Sequence, residues 1–240
     1  MTHSEPPSRI ASLGDASLSV DDLALLVPPC WMNDKLISFW CEHLRINVLK
    51  NDSRVAIFPP NLSFFISLTD DEEELVQIAT ANNLKKSELI ILTVNDSRQS
   101  GVTGNVASGT HWSVLALERS TNNAYYIDSL PHLPNVKVSK VLLGRMAKML
   151  ATSRPTFVEL DAPRQRNSYD CGAFACMFAE DVVKCFLDGK QISSVYQAGF
   201  QLHSDAIDQK RQAIGKLACL LFNEKHEDDR NSVKDINRHS

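Results

Sequence analysis

The spacing of apolar and polar positions divides the 240-residue chain into two helical ends and a strand-rich middle. Ser19 to Val27 reads as a short helix, with Ser19 as N-cap, Asp22 three residues on, and Pro28-Pro29 as its stop. Asn33 or Asp34 caps a second helix running to about Ile46, with Leu36, Ile37, Trp40, Cys41 and Leu44 on one apolar stripe. Val55 to Phe58 is a short apolar run closed by Pro59-Pro60. Leu62 to Leu68 and Asp70 to Asn82 read as two more helices, and Asp70 to Glu74 set negative charge at the positive dipole end of the second.

The period then changes. Leu89 to Val94, Thr110 to Arg119, Ala124 to Ser129 and Thr156 to Leu160 are rich in β-branched and aromatic residues, which suits strands. Thr121-Asn122-Asn123 supplies a turn that joins the second and third of these as a hairpin. Val136 to Leu150 is a helix between the third and fourth. Cys171 to Leu187 is apolar on most sides, hence a buried helix, closed by Gly189. Phe200 to Glu224 is a last amphipathic helix. Strands grouped mid-chain with helices at both ends make the fold α+β. One domain is expected over residues 10–224, between a flexible 1–9 segment and a charged 225–240 tail expected to be disordered.

Charge narrows the class. Twenty-five Lys+Arg against 29 Asp+Glu give a net charge of −4, so the excess of a nucleic-acid binder is missing. No apolar run approaches the ~20 residues of a membrane helix, and the first twenty residues lack the apolar stretch of a secretory leader. A soluble, intracellular, monomeric protein is expected, in cytoplasm or nucleus, with neither nucleic acid nor membrane as partner. The six cysteines contain no C-x-x-C pair, so neither a redox dithiol nor a zinc knuckle has its usual spacing. Five of them read as packing residues.

Cys171 is the exception. It stands where a loop meets the buried helix, and a helix N-terminus favours the thiolate and, later, an oxyanion. Gly172 beside it would let a substrate approach closely. Thr110-His111-Trp112-Ser113 opens one hairpin strand and Asp128 lies near the end of the other, so both fall at the same end of the hairpin. An aspartate bonded to one imidazole nitrogen fixes the tautomer and leaves the other nitrogen for a thiol. Gln165, six residues before Cys171, can donate to an oxyanion together with the Cys171 backbone N–H. Each residue alone has a plainer role: a buried thiol, a strand histidine, a turn aspartate, a solvated glutamine. Together they form a thiol-protease layout.

The segment Gln165-Arg166-Asn167-Ser168-Tyr169-Asp170-Cys171-Gly172, with His111-Trp112 and Asp128 upstream, resembles the Ulp/sentrin-specific cysteine proteases, which process and remove ubiquitin-like modifiers. Pro28-Pro29-Cys30-Trp31-Met32-Asn33-Asp34 is similar to that family's tryptophan–x–asparagine–aspartate entry segment. The resemblance implies a papain-like architecture: a small central, mostly antiparallel sheet flanked by helices, with a buried helix starting at the nucleophile. It implies Cys171 as nucleophile, His111 as base and then acid, Asp128 as orienter and Gln165 as oxyanion donor. It also implies Trp31 and Trp112 as the roof over a Gly-Gly tail, with Asn33 and Asp34 on the modifier side. No metal or cofactor is implied. The double proline and the Asn167-Ser168-Tyr169-Asp170-Cys171-Gly172 run resemble the deneddylases, which act on the Nedd/Rub modifier and on its conjugates, such as those of cullins.

Other readings stay open: a SUMO-specific or dual-specificity protease, or an inactive modifier-binding relative. Metal binding by Cys171, Cys176 and Cys185 is disfavoured, because their helical spacing does not converge them. The Ser97–Gly109 loop, rich in glycine and serine, is longer than the resemblance leads one to expect, and is read as a gate over the tail.

Overall fold

The computed structural model describes residues 9–97, 109–197 and 200–236, with side chains from 11 to 223. The proposed gate lies almost wholly outside the described residues, as does the flexible segment up to residue 8. Arg9 already belongs to a strand. β1 (Arg9–Leu13) and β2 (Ala16–Ser19) form an antiparallel hairpin that the apolar pattern did not reveal. Its strands are short and set Ile10, Leu13 and Leu18 among small and polar residues. The available signal was the two-residue Gly14-Asp15 connection, where Gly14 takes a φ of +54°.

Ser19 ends β2 and caps α1 (Val20–Ala24) in a reciprocal box: Asp22 N–H donates to Ser19 Oγ (3.3 Å) and Ser19 N–H to Asp22 Oδ2 (2.9 Å). α2 (Asp34–His43) starts from Asn33, whose Oδ1 accepts the Leu36 amide at 3.1 Å, and runs into a π-helical turn over Leu44–Val48. β3 (Val55–Phe58), α3 (Pro60–Leu68), α4 (Glu72–Ala81) and β4 (Leu89–Asn95) follow. Next come β5 (Trp112–Glu118), β6 (Asn123–Ile127), α5 (Leu133–Leu150) and β7 (Thr156–Glu159). α6 (Cys171–Leu187) and α7 (Ala206–Ile236) complete the chain.

The five strands β3 to β7 form one sheet in chain order. The central pairs β4–β5 and β5–β6 are antiparallel, but the outer pairs β3–β4 and β6–β7 are parallel. The sheet is therefore mixed, where a mostly antiparallel one was expected. Each outer pair is joined through helices, which return the chain to run parallel. Both faces are covered, so β4 reads as a continuous apolar run. Leu89 and Ile91 point to the core shared with α2, α6 and α7, and Ile90, Leu92 and Val94 to the core under α3, α4 and α5. β5 and β6 alternate likewise: Val114, Ala116, Tyr125 and Ile127 face the first core, and Leu115, Leu117, Ala124 and Tyr126 the second.

α7 runs to Ile236, twelve residues past the expected end at Glu224 and through most of the tail expected to be disordered. A helix already nucleated extends at one hydrogen bond per residue, so polar composition alone does not end it. Its buried stripe is Ile207, Arg211, Ile214 and Ala218. Cys219 lies one residue off that stripe and is exposed, and Cys30 is only half-buried, so neither is the packing thiol expected. Cys41, Cys176 and Cys185 are buried, and burial pushes the Cys176 thiol up to about 12.

Candidate active site

His111 stands one residue before β5, and Asp128 one residue after β6. The register Val114↔Ile127, continued past the strand ends, sets His111 diagonal to Asp128 on one face of the hairpin. Their side chains meet: His111 Nε2 lies 2.6 Å from Asp128 Oδ1, and each residue is only 4% exposed. The His111 backbone is pinned from both sides. Its N–H donates to Asp96 Oδ1 (3.2 Å), which also receives the Thr110 amide (2.5 Å). Its carbonyl accepts from Asn95 Nδ2 (3.1 Å) and Asn135 Nδ2 (3.3 Å). Gly109 is required here, because a Cβ on it would fall 1.6 Å from Asn95 Oδ1.

Asp128 is held as firmly. Tyr126 Oη donates to its Oδ2 at 2.5 Å, and the Leu130 amide to its Oδ1 at 2.9 Å. Tyr126, whose phenol is pushed well above its ordinary range by burial and by the carboxylate, stays a donor. It was missed from sequence, although its place two residues before Asp128, on the same face, was a usable signal. Burial alone would lower His111, but bonds to Asp128 and to Cys171 outweigh it and raise the imidazole to about 9. With Nε2 committed to Asp128, Nδ1 is the nitrogen left for the thiol. A second ring, His132, packs on His111 with centroids 4.8 Å apart.

Cys171 is the first residue of α6 and is 2% exposed. Gly172 next to it serves a different purpose from the one expected. A Cβ there would lie 2.8 Å from Met32 Cβ and 3.6 Å from Trp112 Cδ1, so the space in front of Gly172 is filled by Met32 and not left for substrate. Trp112 Nε1 donates to the Met32 carbonyl at 3.2 Å, which locks the 31–32 segment over the start of α6. Trp112 is half-buried in this contact, whereas Trp31 is 47% exposed. A large indole left in water beside a buried polar set suits a binding wall.

Gln165 is fixed from the end of β6. Its backbone N–H donates to the Ser129 carbonyl (2.9 Å), and Ser129 Oγ donates to its Oε1 (2.6 Å). Its Nε2 donates to the Asn167 carbonyl at 2.7 Å, which uses one of two amide hydrogens. Ser129, fully buried, is a second site residue the sequence did not disclose. Asn33 and Asp34 divide their expected roles. Asn33 is spent inside the protein: Oδ1 caps α2, and Nδ2 donates to Asp22 Oδ1 at 2.7 Å. Asp34 makes no side-chain hydrogen bond among the described residues and remains available to a basic ligand. Among those residues no group of three His, Cys, Asp or Glu could hold a metal ion. No described helix is long and apolar enough to cross a membrane.

A buried carboxylate paired with an imidazole, a thiol at a helix head and an amide on the preceding loop are the groups that can together transfer an acyl group through sulfur. Residues 30–215 match the Ulp1 protease family, C-terminal catalytic domain. The chain belongs to the Ulp1 protease family. It is 30% identical to sentrin-specific protease 8 of Homo sapiens over 184 residues, 74% of this chain and 82% of that one. It is 29% identical to NEDD8-specific protease 1 of Arabidopsis thaliana over 228 residues, 93% of this chain and 98% of that one. Among solved structures, the yeast Ulp1 protease domain in complex with Smt3 is similar at a TM-score of 0.62 and 21% identity, covering 91% of this chain and 90% of that one. This Ulp1-family chain is a cysteine-type protease of the ubiquitin-like-modifier class, with the papain-like α+β fold.

Proposed function

We propose that this protease cleaves after the C-terminal Gly-Gly of a Nedd/Rub-type modifier, both in its precursor and in its lysine conjugates. The observation that carries the chemistry is the buried Asp128–His111 pair, 2.6 Å apart, with its imidazole raised by Asp128 and by Cys171 at the head of α6. In the proposed cycle Cys171 Sγ, as thiolate, attacks the carbonyl of the last glycine. Gln165 Nε2–H and the Cys171 N–H hold the oxyanion. His111 gives its proton to the departing amine, and the C–N bond breaks. His111, now neutral, takes a proton from water, which attacks the thioester and releases the modifier's carboxylate with the thiol restored. Trp31 and Trp112 give the tail flat, rigid walls, and Asp34 faces a basic position of the modifier.

The Nedd/Rub preference rests on the likeness to the Arabidopsis protease along nearly the whole of both chains and on the Asn167–Gly172 run. A panel of modifier tails carrying a fluorophore tests it directly. The Nedd/Rub tail should be cleaved fastest; faster cleavage of a SUMO tail would reassign the enzyme within the family.

The raised imidazole sets the alkaline limit. His111 must be protonated to serve the leaving amine, so kcat/KM should fall as pH rises through about 9. Asp128→Ala removes a bond that favours the charged ring, so the limb should move to lower pH and turnover should drop. An unshifted limb in that variant would show that another group titrates. The sign for stability is the same: His111 is raised, so its contribution is full below its unfolded value and is lost as pH rises through about 9.

A further inference from the structure

Arg211 is 2% exposed, the most buried charged side chain among the described residues, yet it touches none of the reacting atoms. It projects from α7 into the loop before Cys171. Its Nε and Nη2 donate to Asp170 Oδ1 at 3.0 and 2.8 Å. Nη1 donates to the Leu25 carbonyl (3.1 Å), and the two hydrogens of Nη2 are shared between Asp170 and the carbonyls of Cys30 (3.1 Å) and Tyr169 (3.0 Å). One guanidinium thus ties together the residue before Trp31, the end of α1 and the two residues before Cys171. The planar fork allows this, and a lysine's single ammonium could not reproduce it.

Asp170 is the N-cap of α6, and an aspartate there ordinarily turns its carboxylate onto the first-turn amides. Here it does not: no side chain caps α6, and the Asp170 backbone lies in the right-handed region (φ −93°, ψ −2°) instead of the extended one of a capped helix start. One carboxylate oxygen is held by Arg211, and the other accepts from Asn167 Nδ2 at 2.7 Å. The amide donors at the head of α6 are therefore left open where Cys171 begins. A carboxylate on those amides would compete with the oxyanion and set a like charge beside the thiolate.

We propose that Arg211 is a positioning residue that draws the Asp170 carboxylate off the N-terminus of α6, reserving its first-turn amides for the charge that develops at Cys171. Removing Arg211 frees Asp170 to relax into the extended cap conformation and turn its carboxylate onto the helix. The proposal rests on Cys171 being the nucleophile. Titration of the unaltered enzyme with a modifier carrying an electrophile in place of its last glycine tests that assignment first, since a failed assignment leaves no titratable Cys171.

The experiment compares Arg211→Met with Arg211→Met/Asp170→Ala, measuring kcat per titrated site at a temperature where both are folded. The single variant should lose about 10²-fold in kcat, the scale of a small misplacement at the reacting centre, with KM little changed. The double variant should recover most of the loss, because the competing carboxylate is gone. A purely structural Arg211 would lower the fraction of titratable sites and leave kcat per site unaltered, which would overturn the proposal. So would a double variant as slow as the single. If Arg211→Met does not fold, Arg211→Lys with and without Asp170→Ala reads the same recovery from a smaller loss.

Discussion

Replacing Cys171 by alanine should abolish cleavage of the modifier tail and leave modifier binding in place. No other thiol can take over. Cys41, Cys176 and Cys185 are buried, and burial raises all three and holds them protonated. Cys219 is exposed but lies on the outer side of α7, and Cys30 is not at a helix N-terminus. Among the described residues, Cys171 is the one cysteine whose charge and hydrogen bonding raise the His111 imidazole. Binding should survive because Cys171 is 2% exposed, whereas Trp31, the proposed binding wall, is 47% exposed and untouched by the change. Turnover of a fluorogenic modifier tail and anisotropy of the labelled modifier measure the two halves separately. Residual turnover in this variant would refute the assignment of the nucleophile.

Gln165→Ala should cost about 10²–10³ in kcat, the loss typical of one missing oxyanion donor. The structure makes the amide a prepared donor: Ser129 Oγ fixes its oxygen at 2.6 Å, and Asn167 takes one amide hydrogen at 2.7 Å, leaving the other free. A donor held before the reaction needs no reorganisation when the charge forms. The full negative charge exists only in the transition state and the tetrahedral intermediate, so KM should change little while kcat falls. Ser129→Ala should show the same split with a smaller loss, since it loosens the amide without removing it. A Gln165→Ala enzyme with unaltered kcat would assign the oxyanion to backbone donors alone.

Much of the proposed site's arrangement was legible because its candidate residues have an unusual local setting. Cys171 at the head of an apolar helix, and His111 and Asp128 at one end of a hairpin, can be placed from periodicity and one turn. Asn122, in the turn, takes the left-handed φ of +52° that asparagine tolerates. The supporting residues were hidden because their roles depend on partners distant in the chain. Tyr126, Ser129, Asp96 and Asn135 are ordinary residue types until the sheet end brings them to His111, Asp128 and Gln165. Arg211 did leave a trace: it is a charge on the apolar stripe of α7, between Ile207 and Ile214. The parallel outer strands were illegible for a related reason. The sequence marks their existence, but strand direction is decided by how the intervening helices return. The β1–β2 hairpin escaped because strands of four and five residues are too short to show a clear hydrophobic period.

The measurement that most directly tests this protein as a thiol protease of ubiquitin-like modifiers is reaction of the full chain with a Nedd/Rub modifier bearing an electrophile at its Gly-Gly end. The adduct site is then mapped by peptide mass spectrometry. One adduct is expected, on Cys171, formed far more slowly when His111 is replaced by alanine. Attachment to the more exposed Cys219 or Cys30, or no adduct at all, would contradict it.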